Sequence, residues 1–149
     1  MSFLFRSSAR SLTRLPTISR MSSTLTPVFG KNAAPPAAPY SPGMKVGNLL
    51  YVSGQVHYTA EGKKIEGSIA DKTKQVFHNI EAILAAGNSS LDKIVKVNIF
   101  LTDMGNFKEL NEIYGTYFTT HKPARSCVAV KELPLGCDVE IEVVAATND

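Results

Sequence analysis

Cysteine is scarce in this sequence: Cys127 and Cys137 are the only two in 149 residues. One pair cannot build a disulfide framework, and so low a count fits a reducing compartment. Metal-ligand spacing is missing as well. There is no C-x-x-C, and His57, His78 and His121 are scattered along the chain. No metal is therefore expected, and the histidines read as surface or capping residues. No apolar run reaches the roughly 18 residues of a membrane span, so no membrane partner is expected. Acidic residues are absent before Glu61, whereas Arg6, Arg10, Arg14 and Arg20 all precede Met21.

The leader MSFLFRSSARSLTRLPTISR sets Arg6, Arg10 and Arg14 on one helical stripe, opposed by Phe3, Leu4 and Phe5. An amphipathic start rich in Arg and Ser and free of acids is the pattern of a mitochondrial transit peptide. A basic tail with no address is the alternative, and it leaves the missing acids unexplained. Residues 1–21 are thus read as a transit peptide to the mitochondrial matrix, and 22–149 as a single domain. Initiation at Met21 would give a cytosolic form. Setting the four arginines aside takes the formal charge from +3 to −1 for residues 21–149. A near-neutral globular part argues against a nucleic-acid partner.

What is present is a regular alternation of strand and helix patterns. Residues 21–42 hold Pro27, Gly30, Pro35, Pro36, Pro39 and Pro42 and read as extended chain and loop. Tyr40 sits in this stiff segment, where it either packs on the domain edge or lines a pocket. Met44 to Gln55 reads as a hairpin turning at Gly47-Asn48, with Gly54 marking a bulge or a close approach to the backbone. His57 to Gly67 reads as loop. Ser68 to Ala86 carries Ile69, Thr73, Val76, Phe77, Ile80, Ile83 and Leu84 at helical spacing, opened by Ser68 with Asp71 and stopped by Gly87. Lys93 to Thr102 reads as a strand. A second helix, opened by Asn106 with Glu109, runs to about Thr119 with Phe107, Leu110, Tyr114, Tyr117 and Phe118 inward. Asn111 borders that apolar stripe, and a buried amide there needs a hydrogen-bond partner.

The last quarter alternates twice, over Arg125–Val130 and over Val139–Val143. Side chains two apart share a strand face, so Arg125, Cys127 and Ala129 go together, as do Glu140 and Glu142. The order β-β-α-β-α-β-β predicts an α+β fold, a mixed sheet with two helices on one face. The helix-free face is expected to hold Arg125, Cys127, Glu140 and Glu142, and to be closed by another copy of the chain. Arginine's planar fork suits a carboxylate, and a nearby glutamate suits proton transfer to or from water. An ordinary salt bridge on a solvated face fits the same two residues.

The spacing P-A-R-S-C-V-x-V-x-x-L, five residues, then V-E-I resembles the signature of the reactive-intermediate imine deaminase (Rid/YjgF) family. P-Y-S-P at 39–42, Y-V-S-G-Q at 51–55, V-K-V-N-I-F-L-T-D at 95–103 and F-K-E-L-N-E-I-Y at 107–114 extend it over roughly Leu25 to Ala146. Several motifs in order are far more specific than one. Among the family's members, a fungal mitochondrial one is resembled. The resemblance implies a chorismate-mutase-like (YjgF) fold and a homotrimer whose sheets form a central barrel, with ligand clefts between subunits. It also implies hydrolysis of 2-iminobutanoate and 2-iminopropanoate or 2-aminoacrylate to a 2-oxo acid and ammonia, without a cofactor. On that pattern Arg125 binds the substrate carboxylate and Glu140 positions the water. The main chain at Cys127 and Gly54 faces the substrate, and Tyr40 and Asn111 complete the cleft. The Cys127 thiol is not implied as a nucleophile, and Glu142 is taken as structural. Two other activities stay open: a ribonuclease or translation inhibitor, and a ligand-sensing or chaperone-like oligomer.

Overall fold

The computed structural model describes residues 24–148, so the transit-peptide reading of 1–21 and the start at Met21 lie outside the described residues. The first element is a strand the sequence reading missed, β1 (Leu25–Val28), paired antiparallel with β2 (Gly43–Val46). Pro27 concealed it, because proline cannot donate to a ladder; on an edge strand the missing N–H can face outward. A turn with Gly47 at φ +56 leads into β3 (Leu49–Val56), completing the expected hairpin.

Helix α1 (Ile69–Ala86) buries the expected stripe and also Asn79. Ser68 Oγ accepts from the Asp71 N–H at 3.1 Å and donates to the Asp71 carboxylate at 2.7 Å, which satisfies an otherwise orphaned amide. The helix stops at Gly87, but not by a left-handed glycine. Gly87 has φ −92, and Asn88 takes the left-handed position at φ 60. Gly87 is required for another reason: a Cβ there would lie 2.4 Å from Leu50 Cδ2.

Strand β4 (Ile94–Leu101) leads to helix α2 (Phe107–Tyr117), then β5 (Ala124–Ala129) and β6 (Val139–Ala146). The expected Asn106–Glu109 cap does not form. Asp103 Oδ1 accepts from the Gly105 N–H at 2.8 Å in the turn before α2, and Glu109 Oε1 accepts from the Ala70 N–H at 2.9 Å, capping α1 instead. The six strands run in the order β1-β2-β3-β6-β4-β5, antiparallel except for the parallel β4–β5 pair. This is the expected α+β mixed sheet with its two helices. Leu50, Val97, Ile99, Ile141 and Val143 meet Val76, Phe77, Ile80, Leu84 and Leu110 in one core. Phe77 stacks on Tyr117 at 4.1 Å between ring centroids, tying α1 to α2.

The register corrects the expected face assignment. Arg125 and Cys127 pair with Val97 and Ile99, which point into the core beneath the helices. Glu140 and Glu142 pair with Phe100 and Asn98, on the bare face. Arg125 and Cys127 therefore do not join Glu140 and Glu142 on the helix-free side. Strand β4 is threaded between β5 and β6, so the strands carrying Arg125 and Glu140 are not neighbours.

Candidate active site

The expected site residues fall into two groups. On the helix side, at the β5 edge of the sheet, Arg125 Nη1 donates to Asn111 Oδ1 at 2.6 Å. Asn111 thus finds its partner within the chain. The guanidinium carbon lies 4.6 Å from the Tyr114 ring centroid and 5.7 Å from that of Phe107. Cation–π contact and one charge-assisted bond hold the arginine while other N–H donors stay available to a ligand. Cys127, two residues on, packs against the core. Burial pushes its thiol pKa up, against the opposing pull of Arg125, so the thiol is a poor nucleophile.

On the other side Tyr40, Gly54 and Glu140 line one cleft of about 300 Å³, together with Ser53 and Leu135. The β3–β6 register shifts between Val52 and Gln55, and that bulge sets Gly54 beneath the Glu140 side chain. A Cβ on Gly54 would fall 1.8 Å from Glu140 Oε1 and 2.7 Å from its carboxyl carbon. Only glycine leaves room for the carboxylate. Burial, and then the charge of Glu142, pushes the Glu140 pKa above the usual carboxylate range. Glu142 differs: its Oε1 accepts from Asn98 Nδ2 at 2.8 Å, which fits the structural role expected of it. Tyr40 is carried by a segment tied to β3, through Ser53 Oγ to the Ser41 carbonyl at 2.8 Å and the Ser53 N–H to the Pro42 carbonyl at 2.9 Å.

Two residues supporting the cleft escaped the sequence reading. His57, expected at the surface or as a cap, is fully buried. Its Nδ1 bonds the Ile65 carbonyl at 2.8 Å and its Nε2 accepts from the Asp138 N–H at 3.2 Å, which fixes a neutral ring protonated at Nδ1. It thereby pins the start of β6, two residues before Glu140. Lys72 pairs with the Asp138 carboxylate, and Lys64 Nζ donates to the Gly136 carbonyl at 2.8 Å, on the same loop. The second is Asn79, whose Nδ2 donates to the Val56 and Tyr58 carbonyls. Neither carries a local signal, because each acts on backbone far away in sequence.

Among the described residues no group of His, Cys, Asp and Glu is placed to hold a metal, and no helix is long and apolar enough to cross a membrane.

Comparison with known proteins identifies the family. Residues 30–147 match the family described as Endoribonuclease L-PSP. Protein HMF1 of Saccharomyces cerevisiae is 57% identical over 129 residues, 87% of this chain and 100% of that protein. "Protein MMF1, mitochondrial" of the same yeast is 56% identical over 134 residues, 90% of this chain and 92% of the relative. The crystal structure of yeast Mmf1 superposes with a TM-score of 0.82, covering 84% of this chain and 100% of that one at 58% identity. The E. coli protein TdcF, solved with bound serine, superposes with a TM-score of 0.78 at 30% identity, over 83% of this chain and 99% of that one. The chain belongs to the Endoribonuclease L-PSP (YjgF/RidA) family.

Proposed function

We propose that this protein hydrolyses reactive 2-imino and 2-enamino acids, such as 2-iminobutanoate and 2-iminopropanoate or 2-aminoacrylate, to 2-oxo acids and ammonia. One observation carries the reading: Gly54 makes room for a half-buried Glu140 carboxylate that has no hydrogen-bond or ion-pair partner among the described residues. A carboxylate with a raised pKa beside an open cleft is suited to taking and returning a proton.

An imine carbon is already electrophilic, so the chemistry needs a held substrate, a directed water and a place for one proton. Arg125 supplies the first by binding the substrate carboxylate through its fork. Glu140 accepts a proton as water adds to C2 of the iminium form, giving a carbinolamine. It then returns the proton to nitrogen; as the C–N bond breaks and ammonia departs, Glu140 takes the hydroxyl proton, the C2 oxygen becomes the carbonyl of the 2-oxo acid, and the proton passes to the released ammonia, which leaves as ammonium. No covalent intermediate and no cofactor is required. TdcF with bound serine offers a parallel, since serine presents a carboxylate beside a nitrogen-bearing carbon.

Because Arg125 and Glu140 lie on opposite sides of one sheet, the complete site forms between copies of the chain. The bare face offers the surface for this: Tyr51 and Val128 are about half exposed on it, and Met44, Tyr51 and Val144 line a hollow together with Lys96, Asn98 and Glu142. An open sheet face that carries exposed apolar side chains among polar ones is what a second copy covers, and three such sheets close into a homotrimeric barrel. The mitochondrial names of yeast relatives and the Arg-rich leader support action in the mitochondrial matrix.

The family's descriptive name favours a second reading, RNA cleavage. That chemistry calls for a paired base and acid. Both ring nitrogens of buried His57 are engaged, and the Nε2 of His121 is taken by the Ile94 carbonyl, which weighs against it. The deciding experiment feeds threonine or serine to a dehydratase and follows ammonia release with wild type and Glu140→Gln. Wild type should exceed the spontaneous rate and Glu140→Gln should fall by roughly 10²–10⁴, with binding of a 2-oxo acid retained. A wild type that adds nothing to the spontaneous rate refutes the reading. Retention of the full rate in the variant would take Glu140 out of the chemistry, and a wild type that binds the 2-oxo acid without hydrolysing the imine would leave a ligand-sensing role.

A further inference from the structure

We propose that the apolar pocket rimmed by Leu135 is a side-chain subsite of this same cleft, giving the protein a preference for 2-imino acids with longer apolar side chains. The inference rests on the proposed hydrolysis for its reaction, but not for its geometry. The pocket, of about 230 Å³, continues directly from the Glu140 cleft, since Ala37, Tyr40, Gly54, Val56 and Leu135 line both. Beyond that shared boundary the walls are Ala34, Pro35, Pro36, Tyr58, Gly62 and Gln55, mostly apolar and with no charged side chain. A methyl or ethyl side chain on C2 would leave most of this space unfilled. A substrate whose reacting carbon sits beside Glu140 can extend an apolar side chain across the shared boundary into this pocket.

Two further features mark the pocket as built. Leu135 adopts φ 58 and ψ 22, with its side chain half exposed at the junction of the two cavities. Left-handed backbone is unusual for a bulky residue and persists only where the surroundings enforce it. Gly136 follows at φ +64, with its carbonyl held by Lys64. The strained turn sets an isobutyl group on the rim, where a glycine would satisfy the backbone better. Behind the pocket, fully buried Asn79 Oδ1 accepts from the Ala34 N–H at 3.3 Å. Its Nδ2 donates to the Val56 carbonyl at 3.1 Å and the Tyr58 carbonyl at 2.9 Å. Three wall residues from two separate segments are thus fixed by one side chain, so the cavity is preorganised.

The test compares imines generated in situ from alanine and from leucine by an amino-acid oxidase. Apolar extension into a fitted pocket is worth about 10-fold per methylene, so kcat/KM for the leucine-derived imine should exceed that for the alanine-derived one by about 10-fold or more. Ala34→Leu fills the pocket from the wall away from Glu140 and should collapse that ratio to about one. Leu135→Gly, which relieves the turn and removes the rim, should also reduce the ratio and serves if Ala34→Leu fails to fold. A wild-type ratio near one, or a folded Ala34→Leu that lowers both rates equally, overturns the subsite. A wild type that hydrolyses neither imine brings down the proposed reaction but not the pocket. Calorimetric titration with 4-methyl-2-oxopentanoate and pyruvate then decides: tighter binding of the former, lost in Ala34→Leu, sustains the subsite, and equal binding overturns it.

Discussion

Arg125 and Glu140 stand on opposite faces of the same sheet, on strands separated by β4. Within one chain they cannot grip a substrate of a few atoms together. In a site assembled from two chains each contributes from its own side, and this arrangement has a direct experimental signature.

Chains carrying Arg125→Ala and chains carrying Glu140→Gln should each be inactive alone. Unfolded and refolded together in equal amounts, they should regain activity, because random mixing leaves about a quarter of the inter-chain sites with both side chains intact. Light scattering on the same samples should give a mass well above one chain. No recovery in a mixed oligomer, or a monomeric mass, would rule out the shared site.

Gly54→Ala should cost about 10²-fold in turnover or more, since the added methyl displaces the Glu140 carboxylate from its place 1.8 Å away and catalysis tolerates little misplacement. Combined with Glu140→Gln, the two losses should not add, because both act through one carboxylate. Additive losses in the cycle would separate Gly54 from Glu140.

Arg125→Lys keeps the charge and loses the planar fork. Binding of a 2-oxo acid should weaken by about 1.5–3 kcal/mol. Asn111→Ala should produce part of the same loss, since Asn111 Oδ1 orients the guanidinium from 2.6 Å. Calorimetry decides it, and unaltered affinity in Arg125→Lys would detach the arginine from the ligand.

Acidification should destabilise the fold through His57 before it does so through the carboxylates. Burial lowers the His57 pKa; the Ile65 carbonyl opposes this, Lys72 adds to it, and Asp138 and Lys64 contribute in opposite directions. The folded state then binds fewer protons than the unfolded chain once pH falls below about 6.5, so stability declines from there with a slope of at most about 1.4 kcal/mol per pH unit. Asp138 has a lowered pKa, chiefly from its Lys72 hydrogen bond. Its contribution is present above the unfolded carboxylate pKa and fades only at lower pH. His57→Gln keeps one donor and one acceptor but cannot titrate. Its melting temperature should change less between pH 7 and pH 5 than that of wild type; equal slopes would exonerate His57.

Glu140 gives an activity profile of definite sign. With its pKa raised by burial and by Glu142, the base form is lost as pH falls through a value above the ordinary carboxylate range. The acid limb of kcat/KM should therefore lie above that range. In Glu142→Gln, where the neighbouring charge is gone, it should shift to lower pH. An acid limb unmoved by that change would assign it to another group.

Much of this was legible from residues alone. Periodicity located α1, α2 and the central strands, because burying one face imposes a spacing of 3.6 or 2 that no distant contact can alter. Ordered motifs around Arg125 and Glu140 carried the family, and Gly54 stood out as a glycine within a strand. Other features depended on neighbours brought in from far along the chain. Pro27 argued against β1 until its edge position made the proline tolerable, and Glu109 turned out to cap α1 across the fold. His57 gained its role only when Asp138, distant in sequence, came to donate to its ring. Alternation tells which side chains share a face within a strand; it does not tell which strand lies beside which. The insertion of β4 between β5 and β6, and the parallel run of β5, put Arg125 and Glu140 on opposite faces, and only the tertiary structure decides strand order and direction.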